Sequence, residues 1–289
     1  MHISIDMGGT TTRIASSKDL ESIHKSEKFP THKDLFEQKK LVTNTIQNLI
    51  DGENVEYICM GVPGMVDKKE RVFENIVNYP QLSGQTFESF FDLTETNDKL
   101  LVENDAALAG LGEAGRGEAQ DHSVVAYLTL STGVGGVLIK DKMIDDIPEH
   151  SEPGHMVIVE DGIEDEVCGQ KGCLHAYLSG AMFEKTYFCN DPKATFCEGE
   201  RPEDTNDKKI WKEYGKHLAT GLTNIIAMWD PQIVVIGGSI SNKWDLFSPS
   251  MFDSLNDQAL FEVPKVVRST LGDDNGLLGG LDLIKGRRN

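Results

Sequence analysis

The sequence lacks any excess of positive charge. Its 289 residues carry 28 Lys and Arg against 47 Asp and Glu, a formal net charge of -19. A surface this acidic repels phosphate backbones and anionic lipid, which argues against nucleic acid and membrane as partners. No run of about 18 apolar residues occurs, so no transmembrane helix is expected. The start, Met1-His2-Ile3-Ser4-Ile5-Asp6, has no basic segment followed by an apolar stretch and moves straight into a strand pattern. No signal peptide is therefore expected, and the cytoplasm is the expected location. Cysteine is scarce and odd in number, with five in all. Without a secretory signal these read as thiols or metal ligands rather than as a disulfide framework. There is no low-complexity stretch and no G-x-x-x-x-G-K-[ST] phosphate loop.

What is present is a soluble, globular pattern. Hydrophobic residues make up 39% and charged residues 26%, enough to bury a sizeable core in one large domain or two of moderate size. Strands and helices alternate. His2–Asp6 and Arg13–Ser16 read as strands flanking a tight Gly8-Gly9-Thr10 hairpin, and residues Leu35 to Ile50 follow a helical period. Tyr57–Val62 and Leu100–Glu103 read as strands, the second leading into a helix of small residues from Ala106 to Gly112. Val124–Leu130 and Val137–Ile139 flank a second glycine-rich turn. A long helix is expected over Asp207 to Trp229, a strand over Gln232–Ile236 and a closing helix over Leu277–Ile284. The polar stretch Asn190–Lys209 reads as a loop or lid. The two strand–glycine–strand units suggest two related domains facing each other across a cleft. Coincidence among 28 glycines is the competing reading.

Five motifs carry chemistry. Asp6-Met7-Gly8-Gly9-Thr10-Thr11-Thr12-Arg13 places glycines after a strand, where the backbone can approach phosphate oxygens. N–H groups and Thr hydroxyls would be the donors, and Asp6 could hold Mg²⁺ or its water shell. The alternative is an ordinary hairpin turn. Thr132-Gly133-Val134-Gly135-Gly136 offers the same parts. Val234 to Ile236 run as an apolar strand into Gly237-Gly238, which suits a flat ring or phosphate against backbone. Val102-Glu103-Asn104-Asp105 ends a strand in an amide and a carboxylate; either could cap the next helix, and Asp105 could equally act as a general base. Glu152-Pro153-Gly154-His155 precedes Cys168-Gly169-Gln170-Lys171-Gly172-Cys173, and this reads either as a zinc site or as two buried thiols. Gly110-Leu111-Gly112-Glu113-Ala114-Gly115 matches G-x-G-x-x-G formally, but a helical stretch separates it from the preceding strand, so it is not expected to bind a dinucleotide.

Taken in order, these motifs resemble the ROK family of repressors and sugar kinases within the actin-like ATPase superfamily. The resemblance spans nearly the whole chain and includes Gly61-Val62-Pro63-Gly64-Met65-Val66-Asp67, Asn78-Tyr79-Pro80 and Ser179-Gly180. It implies an α/β fold of two actin-like (ribonuclease H-like) domains flanking a cleft. The smaller is expected over 1–115 with 273–289, and the larger, carrying the zinc motif, over 116–272. Asp105 would be the catalytic base. Asn78, Asn104, Glu152, His155 and His175 would contact the sugar. Asp6, Gly8, Gly9, Thr10, Thr11, Thr132, Gly133, Gly237 and Gly238 would form the ATP and Mg²⁺ site. His155, Cys168 and Cys173 would hold a structural Zn²⁺.

The sequence departs from the family pattern in three places. Glu166 stands where the first zinc Cys is usual; a carboxylate can ligate zinc, so the site is either altered or lost. His175 stands where a sugar-binding Glu is usual; a neutral imidazole both donates and accepts, whereas a carboxylate only accepts. Thr11 replaces a Lys often found after Gly-Gly-Thr. The implied reaction is transfer of the γ-phosphate of ATP to the primary hydroxyl of a sugar. Glucose is the first expectation, with fructose, mannose, allose and N-acetylhexosamines as alternatives. A non-catalytic sugar sensor is the competing class. Dimerisation is usual in the family, and no sequence feature demonstrates it.

Overall fold

The computed structural model describes residues 1–76, 79–93, 97–145, 151–189 and 199–288. The chain divides into two units, Met1–Gln120 with Asp273–Asn289, and Asp121–Gly272. In the first unit the order is β1 (His2–Met7), β2 (Thr11–Ser17), β3 (Lys25–Pro30), α1 (Leu35–Ile50), β4 (Tyr57–Val62), β5 (Met65–Asp67), β6 (Val72–Asn75), α2 (Phe87–Phe90), β7 (Leu100–Asn104) and α3 (Asp105–Arg116). The second unit holds β8 (Val124–Leu130), β9 (Val134–Lys140), β10 (Met143–Ile144), α4 (Leu174–Leu178), α5 (Phe183–Phe188), α6 (Lys208–Trp229), β11 (Ile233–Gly237), α7 (Trp244–Gln258) and β12 (Lys265–Arg268). Helix α8 (Asn275–Arg288) then returns to the first unit.

Side-chain alternation explains the first sheet. Ile3, Ile5 and Met7 of β1 point one way, into a core with Val42, Ile46 and Leu49 of α1. His2, Ser4 and Asp6 point the other way, toward α8, where Gly280 lies over Ser4 and Gly276 over Asp6. Apolar spacing at Val42, Ile46 and Leu49 buries one stripe of α1, and Asp34 caps it by accepting from the Glu37 N–H at 3.0 Å. The second unit is built around an aromatic core in which Phe183, Trp211, Tyr214 and Phe247 stack edge to face or tilted.

The two five-stranded sheets share one plan. Their orders are β3-β2-β1-β4-β7 and β10-β9-β8-β11-β12. In each, the first strand in sequence pairs antiparallel with the second and parallel with the fourth position in the sheet, and the edge strand beyond is parallel too. Both glycine turns fall between the first and second strands of their sheets. A chance likeness of glycine-rich turns has no reason to place both at one topological position.

Most expected elements are present within a residue or two of the expected ends. The short elements β5, β6, β10, α2, α4 and α5 were not anticipated, nor were β3, β12 and α7. Strands β3 and β12 are edge strands of charged composition, and α7 carries Pro249 inside its span. Proline and a weak apolar period mask α7 in the sequence; burial of Phe247, Met251 and Leu255 against α6 holds it in place. Among the described residues no helix is long and apolar enough to cross a membrane.

Candidate active site

The first glycine turn closes tightly. Gly8 donates its N–H to Thr11 O at 3.0 Å, so Gly9 and Thr10 form the exposed tip. Thr31 buttresses the turn twice, from its N–H to Thr10 O at 3.0 Å and from its hydroxyl to Gly8 O at 2.8 Å. Behind it, Gln38 of α1 donates to the Thr12 hydroxyl at 2.7 Å. The tip's backbone is thereby held while its N–H groups remain at the surface, as an anion-binding turn requires.

Asp6, next to last in β1, lies beneath this turn with its side chain 17% exposed. The two-residue hairpin sets Asp6 opposite Arg13, and Arg13 Nη1 lies 3.3 Å from Asp6 Oδ2. Burial pushes the Asp6 carboxyl up, and Arg13 offsets this only in part. Arg13 also reaches Asp273 at 2.7 Å, and Lys28 meets the same oxygen at 2.8 Å. Thr11 therefore does not leave the turn without a cation: Arg13, two residues further along β2, supplies one. The pairing register of a two-residue hairpin would have revealed this partner from sequence.

Asn104 and Asp105 occupy the junction of β7 and α3. Asn104 is the cap: its Oδ1 accepts from Ala107 N–H at 3.1 Å, while its Nδ2 donates to Gly64 O at 3.1 Å. Asp105 Oδ1 accepts from the adjacent Ala106 N–H at 2.8 Å. The capping bond thus belongs to Asn104, and Asp105 is not needed for it. Asn78 lies outside the described residues.

In the second unit, the turn bearing Thr132 and Gly133 is docked from behind by the segment after α4. Gly180 N–H donates to Ser131 O at 2.8 Å and Ala181 N–H to Thr132 O at 3.1 Å. Gly154 lets the Glu152–His155 turn sit directly on β9, because a Cβ there would lie 2.1 Å from Val134 O. Glu152 itself is exposed. At the end of β11, Gly238 adopts φ 82, and a Cβ would meet Leu130 O at 2.3 Å. Gly237 packs against the Tyr127 hydroxyl.

The metal motif differs from the expected set. His155, Asp165, Cys168 and Cys173 place one ligand atom each within 4.8 Å of one another. Glu166 is not among them. Its side chain is 60% exposed and pairs with Lys185 at 2.5 Å. Asp165, one residue earlier, is fully buried and faces the thiols. Glu166 occupies the aligned position, but the chain turns between the two residues and aims only Asp165 inward; spacing alone could not distinguish them. Cys189 is disulfide-bonded, which removes it as a ligand, and Cys197 lies outside the described residues. Two thiols, an imidazole and a carboxylate are a donor set that fits tetrahedral Zn²⁺. Burial first, with the neighbouring Asp165 carboxylate, pushes the Cys173 thiol up to about 12; a bound cation would reverse that shift.

His175 stands beside this cluster. Its Nδ1 lies 2.6 Å from Asp165 Oδ2, and its ring stacks on His155 with centroids 5.8 Å apart. Burial pulls the His175 imidazole down against the opposing effect of Asp165. Its Nε2 edge faces Gly133, where a Cβ would lie 3.4 Å away.

Comparison with known proteins agrees with the motif order. The family model for the ROK family matches residues 2–287. An N-acetyl-D-glucosamine kinase of Vibrio vulnificus is 30% identical over 310 residues, covering 99% of this chain and 100% of the relative. A glucokinase of Thermotoga maritima is 28% identical over 316 residues, covering 99% of this chain and 97% of the relative. The solved structure of a ROK family glucokinase from Streptomyces griseus, in complex with glucose and AMPPNP, superposes with a TM-score of 0.79 at 22% identity, covering 99% of both chains. At that identity the likeness is one of fold, the two-domain actin-like α/β architecture. With the family model spanning almost every residue and the glycine turns, Asn104-Asp105 and the Cys/His cluster in family order, this chain belongs to the ROK family.

Proposed function

We propose that this protein is an ATP-dependent hexose kinase that transfers the γ-phosphate of ATP to the primary hydroxyl of glucose. The observation that carries the reading is at the β7–α3 junction. Asn104 makes the helix cap, so capping does not account for the carboxylate beside it at Asp105. In this reading Asp105 accepts the proton of the sugar hydroxyl as its oxygen attacks the γ-phosphorus. In the same reading Asn104, Glu152, His155 and His175 would contact the sugar, the Gly8–Thr11 turn with Thr132 and Gly133 would hold phosphates, and Gly237 and Gly238 would lie beside the base. Mg²⁺ would be held through Asp6, whose carboxylate already faces a cation in Arg13, and would neutralise charge on the transferring phosphoryl group. Zn²⁺ would be structural, held by His155, Asp165, Cys168 and Cys173.

A second reading keeps the reaction and changes the sugar to N-acetylglucosamine. The N-acetyl-D-glucosamine kinase and glucokinase relatives favour it about equally with glucose, at 30% and 28% identity. A coupled ADP-release assay across a panel of free hexoses and N-acetylhexosamines separates the readings. Glucose-stimulated ADP release is expected. Stimulation only by N-acetylated sugars would replace the substrate, and sugar binding without any ADP release would replace the kinase with a sensor.

A further inference from the structure

Asp165 is a buried acid with two tasks within reach. It is 0% exposed, and among the described residues the only titratable base within 4 Å of it is His175. A carboxylate taken fully out of water is costly unless a cation or several donors meet it. Three donors do: Val167 N–H at 2.8 Å on Oδ1, and Cys173 Sγ at 3.3 Å and His175 Nδ1 at 2.6 Å on Oδ2. A carboxylate that ligates a cation must be deprotonated. It then only accepts, so the proton in its 2.6 Å contact with His175 sits on Nδ1. A neutral ring protonated there has a bare lone pair at Nε2, the edge that faces Gly133.

We propose that Asp165 replaces a cysteine as the fourth ligand of a zinc-type cation while also locking His175 in its Nδ1–H form. Loading the cluster thereby fixes His175 as a hydrogen-bond acceptor at Nε2. When Cys173 ligates as a thiolate its hydrogen bond to Oδ2 is given up, and the carboxylate has lone pairs enough for Val167 N–H, His175 Nδ1–H and the metal. Ligating carboxylates are commonly tied to a neighbour in this way. The consequence is specific to this chain. An imidazole held so presents an acceptor and no donor toward the Thr132–Gly133 turn, although a free imidazole offers both. The ligand assignment stands apart from the kinase reading; only the use of Nε2 toward a sugar hydroxyl rests on it.

The test reads metal content, Co²⁺ spectra and the ¹⁵N signals of the His175 ring, none of which depends on turnover. Wild type and Glu166→Gln are expected to bind one equivalent of Zn²⁺ and to give the same thiolate-to-cobalt absorption after exchange. Asp165→Asn is expected to lose metal affinity by at least about 100-fold and to release His175 into a mixture of tautomers. Asp165→Cys separates the two tasks. It should keep the metal and raise the thiolate absorption about 1.5-fold, as two thiolates become three, while losing the single His175 tautomer. It also covers the case in which Asp165→Asn fails to fold. Loss of metal in Glu166→Gln with retention in Asp165→Asn would make Glu166 the ligand and overturn the assignment. A His175 tautomer unchanged in Asp165→Cys would overturn the coupling.

Discussion

At the residue scale, the β7–α3 junction shows how adjacent polar residues divide their work. Asn104 makes two structural bonds, one to the helix end and one to Gly64 O, and sits where a single side chain can do both. Asp105 accepts from its neighbour Ala106. Replacing Asp105 by Asn keeps that acceptor and the size of the side chain, and removes the basic oxygen. The expected outcome is a fall in turnover of roughly 10²–10⁴-fold, with sugar affinity by calorimetry and the thermal midpoint close to wild type. Turnover near wild type in Asp105→Asn would remove Asp105 as the base. The sequence named Asn104 and Asp105 as alternatives for the cap, and the structure gives that bond to Asn104.

At the element scale, the pairing of α3 with α8 explains the formal G-x-G-x-x-G match. Those glycines lie within α3, and their lack of side chains lets the two helices approach until backbone nearly touches backbone. A Cβ at Gly112 would lie 2.2 Å from Asn275 O, and one at Gly279 would lie 1.8 Å from Leu108 O. Ala is the better helix former by about 1 kcal/mol, but forcing a methyl group into this contact costs about 3 kcal/mol. Gly279→Ala is therefore expected to destabilise the protein by about 2 kcal/mol, seen as a lower urea midpoint with unchanged m. Gly286 of the same helix meets nothing within 4 Å. Gly286→Ala should instead stabilise by up to about 1 kcal/mol. Equal effects of the two substitutions would refute the packing account. Helix α7 teaches the complementary lesson. Its Pro249 argues locally against a helix, and the aromatic core around Phe247 overrides that preference.

At the scale of the whole molecule, charge sets the terms for an anionic substrate. The net charge of -19 opposes the approach of a nucleotide, and only local groups such as Arg13 and the turn N–H groups favour it. Salt screens the long-range repulsion, with a Debye length of about 30 Å at 0.01 M and about 10 Å at 0.1 M. Raising ionic strength across that range is expected to increase kcat/KM for MgATP, on the order of two- to tenfold. The KM for an uncharged sugar should stay constant. A fall in kcat/KM for MgATP would show that local cations outweigh the global field.

The order of strands, the two glycine turns, the Asn104-Asp105 pair and the Cys/His segment were legible in the sequence alone. Each depends on local patterns: side-chain alternation, backbone freedom at glycine, and residue type at a strand end. What the tertiary structure decided was which of several chemically similar neighbours faces inward. Asp165 and Glu166 are adjacent carboxylates of nearly equal chemistry, yet one is buried among thiols and the other pairs with Lys185 at the surface. His175 lies 2.6 Å from Asp165 only because α4 brings the two together. Only three-dimensional placement could say that Asp165, and not Glu166, lies with His155, Cys168 and Cys173.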